Sequence, residues 1–283
     1  AAAADAGAGA IVMHSLFEEQ LIEEQMAAHR FIDSHTDTNA EARSFLPATD
    51  VFSLDGDAYL AELASLRQRL DIPVVASLNG TTPGGWVKYA AQLADTGASA
   101  LELNLYDVAT LTVESGADVE SRQIDLVAAV VSSVQIPVTV KLTPFHASLP
   151  AFVHRLEQAG VRGVTVFNRF YEPTVDLDAL EVRRMLTPST SADLPLRLHA
   201  LAVLSTTSEL SLGCSGGVHT GEDAARAILC GAHVVQVASA LMEHGPAHIA
   251  KLRTGLLHWL DGKGHTTSAE ARGVLNLERA PDP

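Results

Sequence analysis

Four segments of the chain repeat one pattern: the end of a helix, a glycine, one or two small residues, then an apolar run. They are DAGAGAIVMHS (5–15), DTGASALELN (95–104), QAGVRGVTVFN (158–168) and LCGAHVVQVAS (229–239). The glycine in each (Gly7, Gly97, Gly160, Gly231) suits the left-handed position that closes a helix. The run behind it is short and apolar on successive residues, which predicts a strand buried on both faces. Two further runs, DIPVVASLNG (71–80) and QIPVTVKLTP (135–144), begin with a proline. Proline is tolerated there because the first strand residue need not donate to the ladder. A short strand also fits 211–215, just before Gly216 and Gly217. The expected strands therefore lie near 9–14, 73–78, 100–105, 137–142, 163–167, 211–215 and 233–239.

Amphipathic stretches fill the gaps. Residues 57–70 put Tyr59, Leu60, Leu63, Leu66 and Leu70 on one stripe, and 120–134, 148–159, 221–230 and 247–260 behave alike. Strand and helix in alternation mean βα units around a parallel sheet. Seven strands are one fewer than a closed barrel needs. Proline-led and glycine-led strands alternate, and the chain opens on a glycine-led strand preceded by a helix tail. The expected fold is therefore α/β: a (β/α)8 TIM barrel whose first strand and most of whose first helix are missing from this chain. An open doubly wound sheet is the alternative. One domain is expected over 1–262, with 263–283 a polar extension that frays.

Composition narrows the class. The 283 residues are 47% apolar and 19% charged, enough for a sizeable core and unlike a disordered or fibrous chain. No apolar run reaches the ~18 residues of a spanning helix, and the start lacks the basic region of a signal peptide. A net charge of −15 argues against a nucleic-acid or anionic-membrane partner. Two cysteines, Cys214 and Cys230, fit a reducing compartment, so a cytoplasmic protein is expected.

Chemistry in such barrels gathers at the C-terminal ends of strands. Those ends read His14-Ser15, Ser77 to Asn79, Asn104 with Tyr106-Asp107, Lys141, Asn168-Arg169, Ser215-Gly216-Gly217 and Ala238-Ser239. Polar residues directly behind apolar runs are costly to bury unless a polar ligand meets them. Gly216 and Gly217 end a strand and open a helix within a few residues, with Thr220 as N-cap and Asp223 three residues on. Their bare amides can cradle a phosphate, and Ala238-Ser239 adds a hydroxyl and another amide. Tight turns alone would also explain the glycines. Lys141 ends VTVKL, where a lysine in a barrel mouth meets an anion or does covalent chemistry, unless it reaches the rim. Asn104 and Asn168 offer donor and acceptor groups to the edge of a planar ring, or simply cap loops. Arg169 could meet a substrate carboxylate or lie exposed on the rim.

Twelve histidines show no ligand spacing, so no metal site is expected. Cys214 is expected to be a small buried residue and not a nucleophile. Residues 17–35 form an acidic helix by pattern, 108–118 a candidate lid, and 169–193 a long insertion.

CSGGVHTGEDAARAILCGAHVVQVASALMEHGPAHIAKL, with the spacing of LELNL, VTVKL and VFNR, resembles the dihydroorotate dehydrogenases, FMN-dependent (β/α)8 barrels. HSLFEEQ, SLNGTTPGGW and FNRFYEP are similar to a divergent bacterial branch near class 1. The likeness covers about residues 6–260. It implies that Gly216, Gly217, Ala238 and Ser239 hold the FMN phosphate. It implies that Lys141 stabilises negative charge on the reduced ring, that Asn104 touches flavin and substrate, and that Ser15 contacts the flavin. Asn168 is implied to bind substrate or lie under the ring, with Asn79 and Arg169 as further substrate candidates.

The reaction implied is oxidation of dihydroorotate or a related dihydropyrimidine by hydride transfer to FMN, with a base taking the proton. A second substrate, the electron acceptor, is left open. Class 1 relatives are commonly dimers, so a homodimer is implied as well.

Three features depart from the family. Its loop N-x-S-C/S-P-N carries a Cys or Ser base, and here Asp107 stands at that place. His14 replaces a lysine. The region 37–56 shows no counterpart of the asparagine-bearing substrate loop. Two rivals follow: a phosphate-binding lyase or isomerase in which Lys141 forms a Schiff base, and a flavin-binding relic without turnover.

Overall fold

The computed structural model describes residues 1–17, 56–79, 83–105, 111–169, 172–185 and 187–279. Seven strands form one parallel sheet: β1 (Ile11–Phe17), β2 (Val74–Asn79), β3 (Ala100–Asn104), β4 (Val138–Leu142), β5 (Gly163–Val166), β8 (Ser211–Ser215) and β9 (Val234–Gln236). They pair in the order β1-β2-β3-β4-β5-β8-β9. Sequence order is kept throughout, without the reversal that defines a doubly wound sheet. The sheet is thus the curled wall of a (β/α) barrel, and the seven expected strands are the seven of this wall. The open-sheet alternative is set aside by the pairing order.

The helix-closing glycines behave as the repeat requires. Gly7, Gly97, Gly160 and Gly231 all have positive φ, at 97°, 100°, 91° and 119°. A β-carbon is disfavoured in that conformation, so the glycine ends the helix and turns the chain into the next strand.

Helices cover the outer face. Gly56–Arg69, Gly116–Ser133, Leu149–Gln158, Gly221–Leu229 and His248–Gly262 occupy the expected stretches. The helix at 116–133 starts earlier than its apolar stripe because Ser115 caps it and Asp118 closes a capping box. The last three residues of the expected 108–118 loop are therefore a helix start, and residues 108–110 lie outside the described ones. Among the described residues, two of the longer helices were not among the stripes read from the sequence. Pro83–Asp95 opens on Pro-Gly-Gly, which resembles a turn, yet buries Trp86, Ala90 and Leu93 at helical spacing. Leu194–Thr207 is apolar almost all round, so it presents no stripe to detect.

Side chains from both faces of the sheet form one core, from Met13 and Leu16 through Leu101, Leu103, Val140 and Leu142 to Leu212 and Cys214. Tyr59 is 1% exposed and ties β1 to β2. Its hydroxyl donates to His14 O at 2.9 Å and accepts from Ser77 N at 3.1 Å.

Within 169–193 the chain makes an antiparallel hairpin, β6 (Glu172–Asp176) with β7 (Glu181–Met185). The segment after Gly262 is tied down as far as Arg279. Gly273 N donates to Ile228 O at 3.1 Å, Leu275 N to Leu229 O at 2.9 Å, and Ala271 is fully buried beside Ile228 and Leu260. Small and apolar residues set singly in a polar tail supply this anchor, where fraying was expected. Among the described residues no helix is long and apolar enough to cross a membrane.

Candidate active site

Parallel pairing places Asn104 of β3 beside Lys141 of β4, level with each other at the strand ends. Asn104 is 3% exposed. Its Nδ2 donates to Ser77 Oγ at 2.8 Å, Ser15 Oγ at 3.0 Å and Leu78 O at 3.3 Å. The two serine hydroxyls are themselves 2.9 Å apart. Strands β1, β2 and β3 thus converge on one amide, and Tyr59 anchors the Ser77 backbone behind it. Burial pushes the Tyr59 phenol up to about 12, with a backbone bond from Ser77 opposing it, so the phenol stays neutral.

Lys141 Nζ lies 2.8 Å from Glu102 Oε1. Glu102 is 1% exposed, and its other oxygen accepts from Thr165 Oγ1 at 3.3 Å and closely from Gln236 Nε2. The carboxylate therefore gathers donors from β4, β5 and β9. Strand β9 stands four places from β3 in the sheet, so the bond to Gln236 crosses the hollow of the curled wall.

The glycine-rich end is built from three separate segments. Gly216 and Gly217 have φ of 86° and 82°. Gly217 N donates to Ser189 Oγ at 3.2 Å, and Ser189 donates from Oγ and N to Ser239 Oγ at 3.0 and 2.9 Å. Ser239 begins the helix 239–244, with Ala238 as its N-cap residue. Arg197 packs against the same loop, donating to Ser215 O at 2.9 Å and Asp193 O at 2.7 Å. A β-carbon on Gly216 would stand 3.1 Å from Arg197 Nη2. Burial lowers the Arg197 pKa, while Asp193 favours its charge. Amide, hydroxyls and guanidinium are gathered at one strand end, where they satisfy one another and the carbonyls of Ser215 and Asp193.

Asp223 fastens this end to the helix behind it. Its Oδ2 accepts from Ser191 Oγ at 2.7 Å and from the amides of His219 and Thr220 at 3.1 and 3.0 Å. Burial raises its pKa, but these hydrogen bonds outweigh that and hold the carboxyl below the usual range.

Asn168 follows β5 after a cis peptide bond between Val166 and Phe167. Its backbone N–H donates to Leu142 O at 2.7 Å, and its side-chain Oδ1 accepts from Arg169 N at 2.9 Å. Arg169 is committed within the fold: Nε donates to Thr187 O at 2.9 Å and Nη1 to Asp193 Oδ1 at 3.3 Å. It staples the segment carrying Ser189 to the end of β5. Asn79 ends β2 and, among the described residues, makes no side-chain hydrogen bond to another candidate. Asp107, the 17–35 helix beyond Phe17 and nearly all of 37–56 lie outside the described residues.

Sequence reasoning passed over Glu102, Ser189 and Arg197, and named Ser77 as a strand-end residue without giving it a role. Glu102 carried a signal, a lone carboxylate inside the apolar run ALELNL. Arg197 carried the same kind, a lone cation inside LPLRLHAL. Ser189 sits in a polar run, STSAD, that looks like any surface loop.

Cys214 is fully buried, and burial pushes its thiol up to about 12, which leaves it a core residue without thiolate character. Among the described residues no group of three or more His, Cys, Asp or Glu could hold a metal ion.

A family model described as dihydroorotate dehydrogenase matches residues 52–260. Three curated relatives give the range of similarity. A protein of Aeropyrum pernix with the provisional name dihydroorotate dehydrogenase A (fumarate) is 32% identical over 71% of this chain and 67% of its own. The dihydroorotate dehydrogenase B (NAD(+)) catalytic subunit of Methanosarcina mazei is 28% identical over 82% and 75%. Dihydroorotate dehydrogenase A (fumarate) of Limosilactobacillus reuteri is 28% identical over 68% and 64%. The chain thus spans about two thirds to three quarters of the length of these relatives.

Proposed function

We propose that this chain, which belongs to the dihydroorotate dehydrogenase family and hence to the oxidoreductases acting on CH–CH bonds, binds FMN and oxidises dihydroorotate or a related dihydropyrimidine. One observation supports the reading: Asn104 and Lys141, the residues proposed to recognise the ring, stand level at adjacent strand ends of a wall whose other edge gathers the amide and hydroxyls proposed for the phosphate. FMN, when bound, supplies a two-electron acceptor for hydride.

The chain's own residues do the rest. Gly216, Gly217, Ala238 and Ser239, with Ser189 and Arg197 beside them, bind the phosphate. Ser15 and Asn104 hold the ring end, and the Ser15–Ser77–Asn104 hydrogen bonds fix the amide before a ligand arrives, so little ordering is left for binding to cost. Lys141 offers positive charge where the reduced ring gains negative charge. Asp107 takes a proton from the carbon next to the one that loses hydride, so two C–H bonds are exchanged for a C=C bond. Asn79, Asn168 and Arg169 are the remaining substrate contacts proposed, Arg169 with whatever guanidinium hydrogens its bonds to Thr187 O and Asp193 leave over.

Relatives at similar identity carry fumarate and NAD(+) in their names, so both acceptors belong in the assay. A homodimer is the assembly proposed. The Schiff-base reading is weakened by the Glu102 pairing, because an ammonium held on a carboxylate is no free amine nucleophile.

The test is direct. Purified protein is expected to be yellow and to release FMN on denaturation. Anaerobic dihydroorotate should bleach it, and Asp107→Asn should slow bleaching by about 10²- to 10⁴-fold with FMN still bound. A colourless protein trapped by borohydride with a sugar phosphate would overturn the assignment. Flavin that resists dihydroorotate but bleaches with another dihydropyrimidine would replace the substrate and keep the rest. Bound flavin that no dihydropyrimidine reduces would identify a relic.

A further inference from the structure

We infer that Glu102 is a positioning residue that pins the Lys141 ammonium to the floor of the barrel mouth and offsets its charge, and so sets how strongly the site favours reduced flavin. The inference rests on the FMN reading above for its second half only.

The geometry has three parts. First, the register pairs Asn104 with Lys141 and Glu102 with Thr139. Glu102 therefore lies two residues, about 6.6 Å, deeper along its strand than the layer of Asn104 and Lys141. Lys141 starts from the upper layer, and its Nζ is drawn to the carboxylate that starts below it. Second, a carboxylate that is 1% exposed is unfavourable unless its lone pairs are met. Here Oε1 meets Lys141 at 2.8 Å, the length of a charge-assisted bond, and Oε2 meets Thr165 and Gln236. Thr165 and Gln236 are also within 3.4 Å of each other. They hold the far side of the carboxylate, so its near oxygen has one position to offer the lysine. Third, the Lys141 side chain keeps 16% exposure, so it is reachable from the mouth while held from beneath.

An unpaired ammonium would present its full charge to a ligand. A paired one presents a dipole. Glu102 is thus placed to moderate Lys141, while Asn104 on the same face of β3 addresses the ligand itself.

The test uses Glu102→Gln, which keeps shape and an oxygen acceptor but removes the charge. In the FMN-loaded protein the ratio of reduced to oxidised flavin at fixed potential should rise at least about tenfold, an upward shift of about 30 mV for a two-electron couple. Lys141→Met should move the potential the other way. Adding Glu102→Gln to Lys141→Met should raise the potential by clearly less than Glu102→Gln does alone, because the part that works through the position of the Lys141 ammonium is gone, a dependence that a merely structural role would not produce. A shift under about twofold in Glu102→Gln with FMN bound overturns the inference.

The apoprotein gives an independent reading. Acylation of Lys141 by an N-hydroxysuccinimide ester, followed by mass spectrometry, should be at least about fivefold faster in Glu102→Gln than in the wild type. An unchanged rate sinks the pinning of Lys141 whether or not flavin binds. If no preparation contains or takes up FMN, the cofactor reading fails alone, and the labelling rate decides the pairing. Should Glu102→Gln not fold, Glu102→Asp withdraws the carboxylate by one methylene, and both readouts should move in the same directions by less.

Discussion

Two glycines that share a positive φ separate conformational strain from close approach. Gly97 has φ +100°, and a β-carbon there would meet nothing within 4 Å. Gly217 has φ +82°, and a β-carbon would stand 2.6 Å from Leu194 N and 2.7 Å from Leu194 Cα. Alanine at either site suffers the left-handed penalty, about 1–2 kcal/mol. Alanine at 217 must in addition push back the first turn of the 194–207 helix. Backbone cannot swing aside as a side-chain tip does, so overpacking adds about 1–3 kcal/mol. The expected losses are about 1–2 kcal/mol for Gly97→Ala and about 2–5 kcal/mol for Gly217→Ala.

Urea denaturation of both variants reads the difference directly. Flavin binding adds a second contrast. Gly97 lies before β3, at the end of the wall away from the candidate site, while Gly217 N points at Ser189 Oγ inside the proposed phosphate cradle. Gly217→Ala should weaken FMN binding by about tenfold or more, a change of about 1.4 kcal/mol, with Gly97→Ala close to wild type. Two equal stability losses, within about 0.5 kcal/mol, would refute the claim that close approach to Leu194 fixes residue 217 as glycine. Equal flavin affinities would refute the cradle.

Tyr59→Phe removes one hydroxyl from between β1 and β2 and leaves Ser77 N and His14 O without it. A loss of about 1–3 kcal/mol is expected in thermal or urea unfolding, and a loss under about 0.5 kcal/mol would show that these groups find other partners. Asp223 has its folded pKa below the unfolded value, so its contribution is present above the unfolded pKa and is lost as pH falls through the folded one. Asp223→Asn should lower stability near pH 7 by about 1.5–3 kcal/mol. Below about pH 4 the variant should lose less on further acidification than the wild type, and parallel curves across pH 2–7 would contradict the assignment.

Much of the fold was legible in the chain because its signals are local. Gly97 closes a helix through its own φ, and Pro137 marks a strand start through its own missing N–H. Repetition of these two marks predicted the strands and, through their sequential pairing, the barrel wall. The two longer helices went unread for equally local reasons: Pro83-Gly84-Gly85 looks like a turn, and Leu194–Thr207 lacks a polar face. The strand-end rule also singled out Ser15, Asn104 and Lys141 as candidates, since a polar residue behind an apolar run is visible without knowing its neighbours.

Partnership was not visible. Ser189 stands 28 residues from Gly217 and 50 from Ser239, yet joins them. Glu102 and Gln236 are separated by 134 residues and meet only because the sheet curls. Arg169, read as a free substrate contact or a rim cation, is turned inward by Asp193, 24 residues later in the chain. The sequence by itself determined where strands begin, where they end and which polar groups sit at those ends, because backbone preference and side-chain alternation act over a few residues. Only the tertiary structure decided which of those groups neutralise, hold or release one another, because hydrogen bonds and ion pairs depend on distances of about 3 Å that the curvature of the whole wall sets.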